Sequence, residues 1–301
     1  MDSFKQNILA PSLEIIRDDS KIKKFYFFPG LFSVVFLGVL FLYQVAYTYV
    51  VLLGREEEAF SIILSYFHSE YLTLYIIIAV VFVIFYLILI PIFEGALIQY
   101  IDSRKDGKAS RSDALGVGIF RFYALFEFNN IFNMFKFISI VNGFLFSLRF
   151  LGIEYLTGLA IFFVVAFLFS FIVNIVVAYA RYEIVLQKKG TFEAIGVSSQ
   201  ISLLNIKTTL KLYFLMFIMN IKVMINFLLF LVFPLFAVFV TGFLTSTIFT
   251  TIALFVLGIV FLFLLLVLGY MAAVLDIFTT AIWYHAYKEG KAKLELSEAK
   301  E

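Results

Sequence analysis

The chain has 301 residues, of which 63% are hydrophobic and 15% are charged, and its net charge is +2. Soluble domains are about 45–50% apolar, so this composition indicates a membrane protein, and so small a net charge does not favour a nucleic-acid partner. The absence of cysteine excludes disulfides, thiolate metal sites, cysteine nucleophiles and iron–sulfur clusters. No motif points to a cofactor, and we expect none.

Apolar runs long enough to cross a bilayer, which takes about 20 residues rising 1.5 Å each, recur along the chain. We predict six membrane-spanning helices, at residues 31–53, 71–93, 128–148, 155–180, 223–240 and 248–275. The last two share a stretch of 53 residues, 223–275, that contains no Asp, Glu, Lys, Arg or His. The expected fold is therefore an all-α integral membrane protein, with one polytopic domain over residues 1–301.

The third predicted span is the most polar of the six. Asn129, Asn133 and Lys136 are spaced i, i+4 and i+7, so we expect them on one face of its helix. Lys222 and Asn226 are expected to share a face of the fifth span. Polar faces of this kind pair helices through hydrogen bonds, line a water-filled pathway or contact lipid headgroups, and the sequence leaves these alternatives open.

The positions of the basic residues predict which ends of the spans face the cytosol. Nineteen Lys and Arg residues fall in the N-terminal segment, in the connections after spans two and four, and in the C-terminal segment. The alternate connections contain two, Arg55 and Arg149. Cytoplasmic loops carry the excess of positive charge, so both termini are predicted to be cytosolic. We expect the protein in the cytoplasmic membrane of a prokaryote.

A short motif occurs twice on the predicted cytosolic side. Residues 113–118, Asp-Ala-Leu-Gly-Val-Gly, resemble residues 193–198, Glu-Ala-Ile-Gly-Val-Ser, 80 positions later. Each motif follows a basic turn with a plausible N-cap, Ser110 or Thr191, so we predict amphipathic helices over residues 112–123 and 192–204, lying along the membrane surface. Residues 4–16 are a third, diverged candidate.

These helices suggest an internal repeat. Each unit would combine one interfacial helix with a two-span hairpin, and the three copies would cover residues 1–100, 110–181 and 191–287. A unit with an even number of spans gives every copy the same orientation, as in parallel repeats.

Two segments resemble known families. Residues 182–205, with their basic turn, Glu193-Ala194, Ser198-Ser199 and Asn205, are similar to uncharacterised prokaryotic six-span families. These include the membrane domain that accompanies some bacterial glycerophosphodiester phosphodiesterases. The closing residues 281–287, Ala-Ile-Trp-Tyr-His-Ala-Tyr, are similar as well. The resemblance implies fold and not activity, because the phosphodiesterase catalytic domain is absent.

Three ionisable residues are predicted at the cytosolic ends of the even-numbered spans. They are Glu94, Arg181 and Asp276. Because an unpaired charge at that depth is costly, we expect Arg181 within ion-pair distance of one of the two carboxylates. The cluster is either a structural ion pair or a substrate or proton site.

Two functions remain open from sequence. In the first, a non-enzymatic membrane protein contacts membrane lipid or a protein partner through its basic cytosolic face. In the second, a small-solute transporter has a polar pathway between spans three and five. Motifs for enzyme chemistry are missing, so an enzyme is the less favoured class.

Overall fold

The computed structural model describes residues 4–52, 57, 61, 64–65, 67, 70–104, 107, 110–219, 221 and 247–299. Within these residues all regular secondary structure is helical. A π-helical turn, Lys5–Leu9, leads into the first α-helix. The helices are α1 Ala10–Asp18, α2 Ser20–Leu52, α3 Leu72–Arg104, α4 Arg111–Phe120, α5 Phe122–Phe132, α6 Phe137–Leu151, α7 Leu156–Val177, α8 Ala180–Leu186, α9 Thr191–Leu204, α10 Ile206–Met219 and α11 Thr247–Glu298.

Three helical segments are long and apolar enough to cross a membrane. They are Leu72–Arg104, Ile153–Leu186 and Thr251–Glu298. Two bent helix pairs are also long and apolar enough if each pair is taken as one span, so the described residues contain up to five candidate spans. The expected all-helical fold is therefore confirmed, and several apolar helices fit a membrane protein. The fifth predicted span, residues 223–240, lies outside the described residues, and the count of six stays a prediction.

The third predicted span is not one continuous helix, which corrects the expectation for residues 128–148. The segments Phe122–Phe135 and Ser139–Leu151 are bent by 55°. Lys136 has extended backbone angles, φ −72° and ψ 144°, so the helix stops before it. Since an interrupted helix leaves carbonyls without partners, the break needs outside donors. Ser170 and Asn174 of α7 both donate to the Phe135 carbonyl.

This break also corrects the expected polar face of the third span. Asn133 begins a 3₁₀ turn, Asn133–Phe135, and Lys136 lies beyond this turn, so neither residue continues the helix that carries Asn129. The i, i+4, i+7 rule holds only along an unbroken helix. Asn133 and Lys136 are both exposed, whereas Asn129 is half-buried.

Both predicted amphipathic segments are helical, with shifted ends. Helix α4 begins after a cap in which the Ser110 side chain accepts from the Asp113 amide, as predicted, but it ends at Phe120 because Arg121 turns the chain into α5. Helix α9 is capped by Gly190 and not by Thr191, whose hydroxyl is engaged elsewhere. Helices α9 and α10 meet at 97°.

The chain divides into two compact units. The first comprises Met1–Asp19, Pro91–Lys222 and Ile277–Glu301, and the second comprises Ser20–Ile90 and Val223–Asp276. In the second unit α2 and α11 pack closely through glycines, because a Cβ on Gly30 would lie 2.7 Å from the Gly269 carbonyl oxygen. Small residues permit such close approach between apolar helices.

In the first unit α4 packs against α3 through Gly118. A Cβ at this position would overlap the Ile92 carbonyl oxygen and would lie 3.0 Å from the Ala96 amide nitrogen. Ser198 occupies the matching position of the second motif, in α9, and it packs against α7. Each copy of the motif therefore places a small residue against an earlier apolar helix, α3 for Gly118 and α7 for Ser198, although the repeat itself stays a prediction.

Where α7 ends and α8 begins, side chains of α9 donate hydrogen bonds to the backbone carbonyls of α7. The Ser198 hydroxyl donates to the Val176 carbonyl at 2.7 Å, and the Ser202 hydroxyl donates to the Ile175 carbonyl at 2.7 Å. The Tyr179 amide in turn donates to the Ser198 oxygen at 3.0 Å. Both serines are buried. These bonds satisfy the backbone groups that the end of α7 leaves open.

Candidate functional site

The predicted charge pair between the ends of α3 and α8 is present in the first unit. Arg181 Nη1 lies 2.6 Å from Glu94 Oε1. The other carboxylate oxygen of Glu94 accepts from Asn129 Nδ2 at 2.8 Å, and the Arg181 guanidinium lies 5.8 Å from the centre of the Phe128 ring. The Glu94 side chain is 13% exposed and that of Arg181 is 39% exposed. Both carboxylate oxygens are thus occupied by donors, as a partly buried charge requires.

Asp276, the third residue of the predicted charge cluster, belongs to the second unit, in which it is half-buried, and Glu94 and Arg181 belong to the first unit. Lys222 and Asn226 lie outside the described residues. Of the five residues proposed as an intramembrane polar face, Asn129 hydrogen-bonds to Glu94 of the charge pair.

A second acidic group, Glu183 of α8, is fully buried and was missed from sequence. Its Oε1 accepts from the Tyr287 hydroxyl at 2.9 Å and lies 3.1 Å from Lys291 Nζ. Its Oε2 lies 3.4 Å from Lys189 Nζ, an ion-pair distance without hydrogen-bond geometry. Because a buried carboxylate is costly unless it is paired, two lysines and a tyrosine hold α8, the α8–α9 turn and α11 together here.

A third acidic group, Asp102 near the end of α3, has partners of the same kind. It accepts from the Tyr284 hydroxyl at 2.7 Å and lies 2.8 Å from Lys288 Nζ. Residues four apart share one face of a helix. The C-terminal part of α11 therefore presents two Tyr–Lys pairs, one for Asp102 and one for Glu183.

This repeated spacing is the signal that sequence reasoning could have used. Tyr284 and Lys288, and again Tyr287 and Lys291, are each four residues apart in a helical stretch. The spacing indicates that the tyrosine and the lysine of each pair can both bind the same carboxylate. It does not indicate which carboxylate, because Asp102 and Glu183 come close to α11 only in the folded structure.

Aromatic side chains lie in the same unit as Glu94, Asp102 and Glu183, which together with their cationic partners we call the charge layer. The Trp283 ring lies 5.7 Å from Tyr179 and 5.0 Å from Tyr213, both in edge-on contact. The Tyr182 hydroxyl donates to the Thr280 carbonyl at 3.0 Å. Aromatic pairs in this geometry add stability beyond the area that they bury, so the layer is a packed structure and not only a set of ion pairs.

No group of three His, Asp or Glu side chains that could hold a metal ion occurs among the described residues. The arrangement of Glu94, Asp102 and Glu183 can join helices by charge-assisted hydrogen bonds, since each carboxylate faces cationic or hydroxyl donors. In comparison with known proteins, the chain matches no family model, no curated protein and no solved structure.

Proposed function

We propose that the chain is a non-enzymatic integral protein of a prokaryotic cytoplasmic membrane, with six spans and both termini cytosolic. Its basic cytosolic face contacts membrane lipid or a protein partner. The resemblance of residues 182–205 and 281–287 to prokaryotic six-span families supports the architecture, and so do the three long apolar helices.

The observation that carries this proposal is the distribution of basic residues along the chain. Nineteen Lys and Arg residues fall on the predicted cytosolic side of the membrane and two fall on the other side. Several of those on the cytosolic side are exposed in the first unit, namely Lys5, Arg111, Lys188, Lys207 and Lys211. A basic surface attracts anionic lipid headgroups, at about 1 kcal/mol for each Lys or Arg near the membrane.

The test is stabilisation of the purified protein by an anionic lipid. Short-chain phosphatidylglycerol is titrated into the protein in neutral detergent, and short-chain phosphatidylcholine serves as the control. A ligand at about 100 times its Kd stabilises the folded state by about 2.7 kcal/mol. We expect Tm to rise with phosphatidylglycerol alone, and to rise less as salt is added, because salt screens surface charge. Equal shifts with both lipids would contradict the proposal.

A small-solute transporter is the second candidate, and the cluster of Glu94, Arg181 and Asn129 supports it. A half-buried ion pair with a bound amide is the kind of group that marks substrate pathways in membranes. Thiol labelling tests this candidate through single cysteines at Asn133, Lys136, Lys222 and Asn226, because the chain has no native cysteine. Labelling of all four from water, with solute flux in vesicles that Lys222→Ala abolishes, would favour the transporter.

A further inference from the structure

Two polar contacts hold the corner between α4 and α5 against the turn between α8 and α9. Arg121 Nη1 donates to the Lys188 carbonyl at 3.3 Å. The Thr191 hydroxyl lies 3.2 Å from the Ala124 carbonyl oxygen and 2.6 Å from Glu127 Oε2. Thr191 is buried, so the two segments meet at a defined place and are not independent loops.

Three large aromatic side chains around this junction point away from the protein interior. Phe120 is 87% exposed, Tyr123 is 74% exposed and Phe192 is 71% exposed. Isolated exposed apolar residues are ordinary, but these three flank one junction from both of its segments. Together with Arg121 and Lys188 they form a surface that we call the corner patch.

Among the residues that the structure describes, no acidic side chain forms an ion pair with Arg121 or Lys188, the two cations of the corner patch. The acids close by have other partners, since Glu127 accepts from Thr191 at 2.6 Å and Glu193 lies 3.6 Å from Lys189 Nζ. The corner patch thus combines exposed rings with two cations that pair with no carboxylate in the described part of the chain.

We infer that the corner patch binds anionic phospholipid headgroups of the leaflet next to the basic face. Arg121 and Lys188 would contact the lipid phosphate, and the three aromatic rings would lie at the boundary between headgroups and acyl chains. Aromatic residues concentrate at this boundary, and basic amphipathic helices lie in its plane. Helix α9, which carries Phe192, meets α10 at 97°, an orientation that suits a helix in the membrane plane beside one that crosses it.

The inference deepens the proposed function and rests on it, because it assigns one lipid class and five residues to the basic face. The alternative occupant, an acidic protein, would need the same cations. It would not need three protruding rings on both sides of one junction, so we favour the lipid.

The experiment uses a single fluorescent label beside the corner patch. Ile119 is 59% exposed and belongs to α4, so Ile119→Cys carries bimane without replacing any patch residue. Leu296→Cys, 64% exposed near the end of α11, is the matched control label. Both variants are placed in phosphatidylcholine nanodiscs that contain increasing amounts of phosphatidylglycerol. Quenching is measured with acrylamide from water and with brominated acyl chains from the lipid.

We expect phosphatidylglycerol to protect the Ile119 label from acrylamide and to expose it to brominated phosphatidylglycerol, while the Leu296 label does not change. The double variant Arg121→Gln/Lys188→Gln should weaken this response by about 30-fold, equivalent to about 2 kcal/mol for two cations. Arg17→Gln, which removes an exposed cation that is paired with Asp18, should leave it intact.

Three outcomes overturn the inference. They are equal quenching by brominated phosphatidylcholine and brominated phosphatidylglycerol, an unchanged response in the double variant, and a label that acrylamide reaches in every lipid mixture, as it would if a protein were the occupant. A reporter fused after Glu301 tests the proposed function separately. If the reporter is cytosolic and the label does not respond, only the corner patch assignment fails.

Discussion

Replacing Arg181 with alanine should destabilise the protein by leaving Glu94 without its cation. The Glu94 carboxylate is 13% exposed and, among the described residues, would keep the hydrogen bond from Asn129 at 2.8 Å. Removing one partner of a fully buried pair costs about 3–5 kcal/mol, and exposed pairs are worth about 1 kcal/mol or less. Because the Arg181 side chain is 39% exposed, we expect an intermediate loss of about 1–3 kcal/mol.

The assay is a double-mutant cycle on purified protein, with the free energy of unfolding measured by titration with denaturing detergent. The double variant Glu94→Gln/Arg181→Ala removes the stranded charge, so it should recover most of the loss. We expect a coupling energy of about 1–2 kcal/mol between the two positions. Arg17→Ala is the control, because its side chain is 79% exposed and its partner Asp18 is also exposed, and its stability should not differ measurably from wild type.

If Arg181→Ala is as stable as Arg17→Ala, the pair does not hold α3 to α8 and the reasoning fails. Additive effects of the substitutions at positions 94 and 181 would also contradict the reasoning, because an additive cycle means that the two side chains do not interact.

Two further predictions compare neighbouring residues by thermal unfolding. Gly118→Ala should lower the free energy of unfolding by about 1–3 kcal/mol, because the new Cβ would press on the Ile92 carbonyl. Gly116→Ala should be neutral or stabilising by up to about 1 kcal/mol, because a Cβ there meets nothing within 4 Å. The reverse order of stabilities would contradict the close packing at Gly118. Ser198→Ala should cost about 1–3 kcal/mol by removing a buried donor, and Ser199→Ala should cost less, because its hydroxyl bonds within its own helix.

Local patterns in the sequence predicted the helices that are determined by local features of the chain. The apolar runs predicted the long helices, and the caps with their following motif predicted α4 and α9. Boundaries were less accurate where a side chain had a tertiary partner. Thr191 was expected to cap α9, but its hydroxyl is bonded to Glu127 of α5, and no pattern near Thr191 indicates that partner.

The break in the third span shows a different limit. Lys136 and its neighbouring asparagines made this span the most polar of the six. The predicted polar face assumed that one helix continues through Lys136, whereas the helix ends before this residue. The break is tolerated because α7 supplies Ser170 and Asn174 to the Phe135 carbonyl. Those donors come from another helix, so the sequence of the third span alone could not show that the carbonyl freed by the break would be hydrogen-bonded.

The charge layer was only partly predictable for the same reason. The pairing of Glu94 with Arg181 follows from depth and cost of burial, which the sequence indicates. The burial of Glu183, two residues after Arg181, depends on Tyr287 and Lys291 of a distant helix. Contacts over such sequence separations are set by the packing of the whole unit.

The most direct test of the central claim is the sidedness of the basic face in intact cells. Single cysteines replace Ser112 of α4 and Glu57 of the first predicted outer connection, both exposed, in a chain without native cysteine. A membrane-impermeant maleimide should label Glu57→Cys in cells and Ser112→Cys only in inverted vesicles. Labelling of Ser112→Cys from outside intact cells would contradict the orientation, and with it the proposal of a cytosolic, lipid-contacting face.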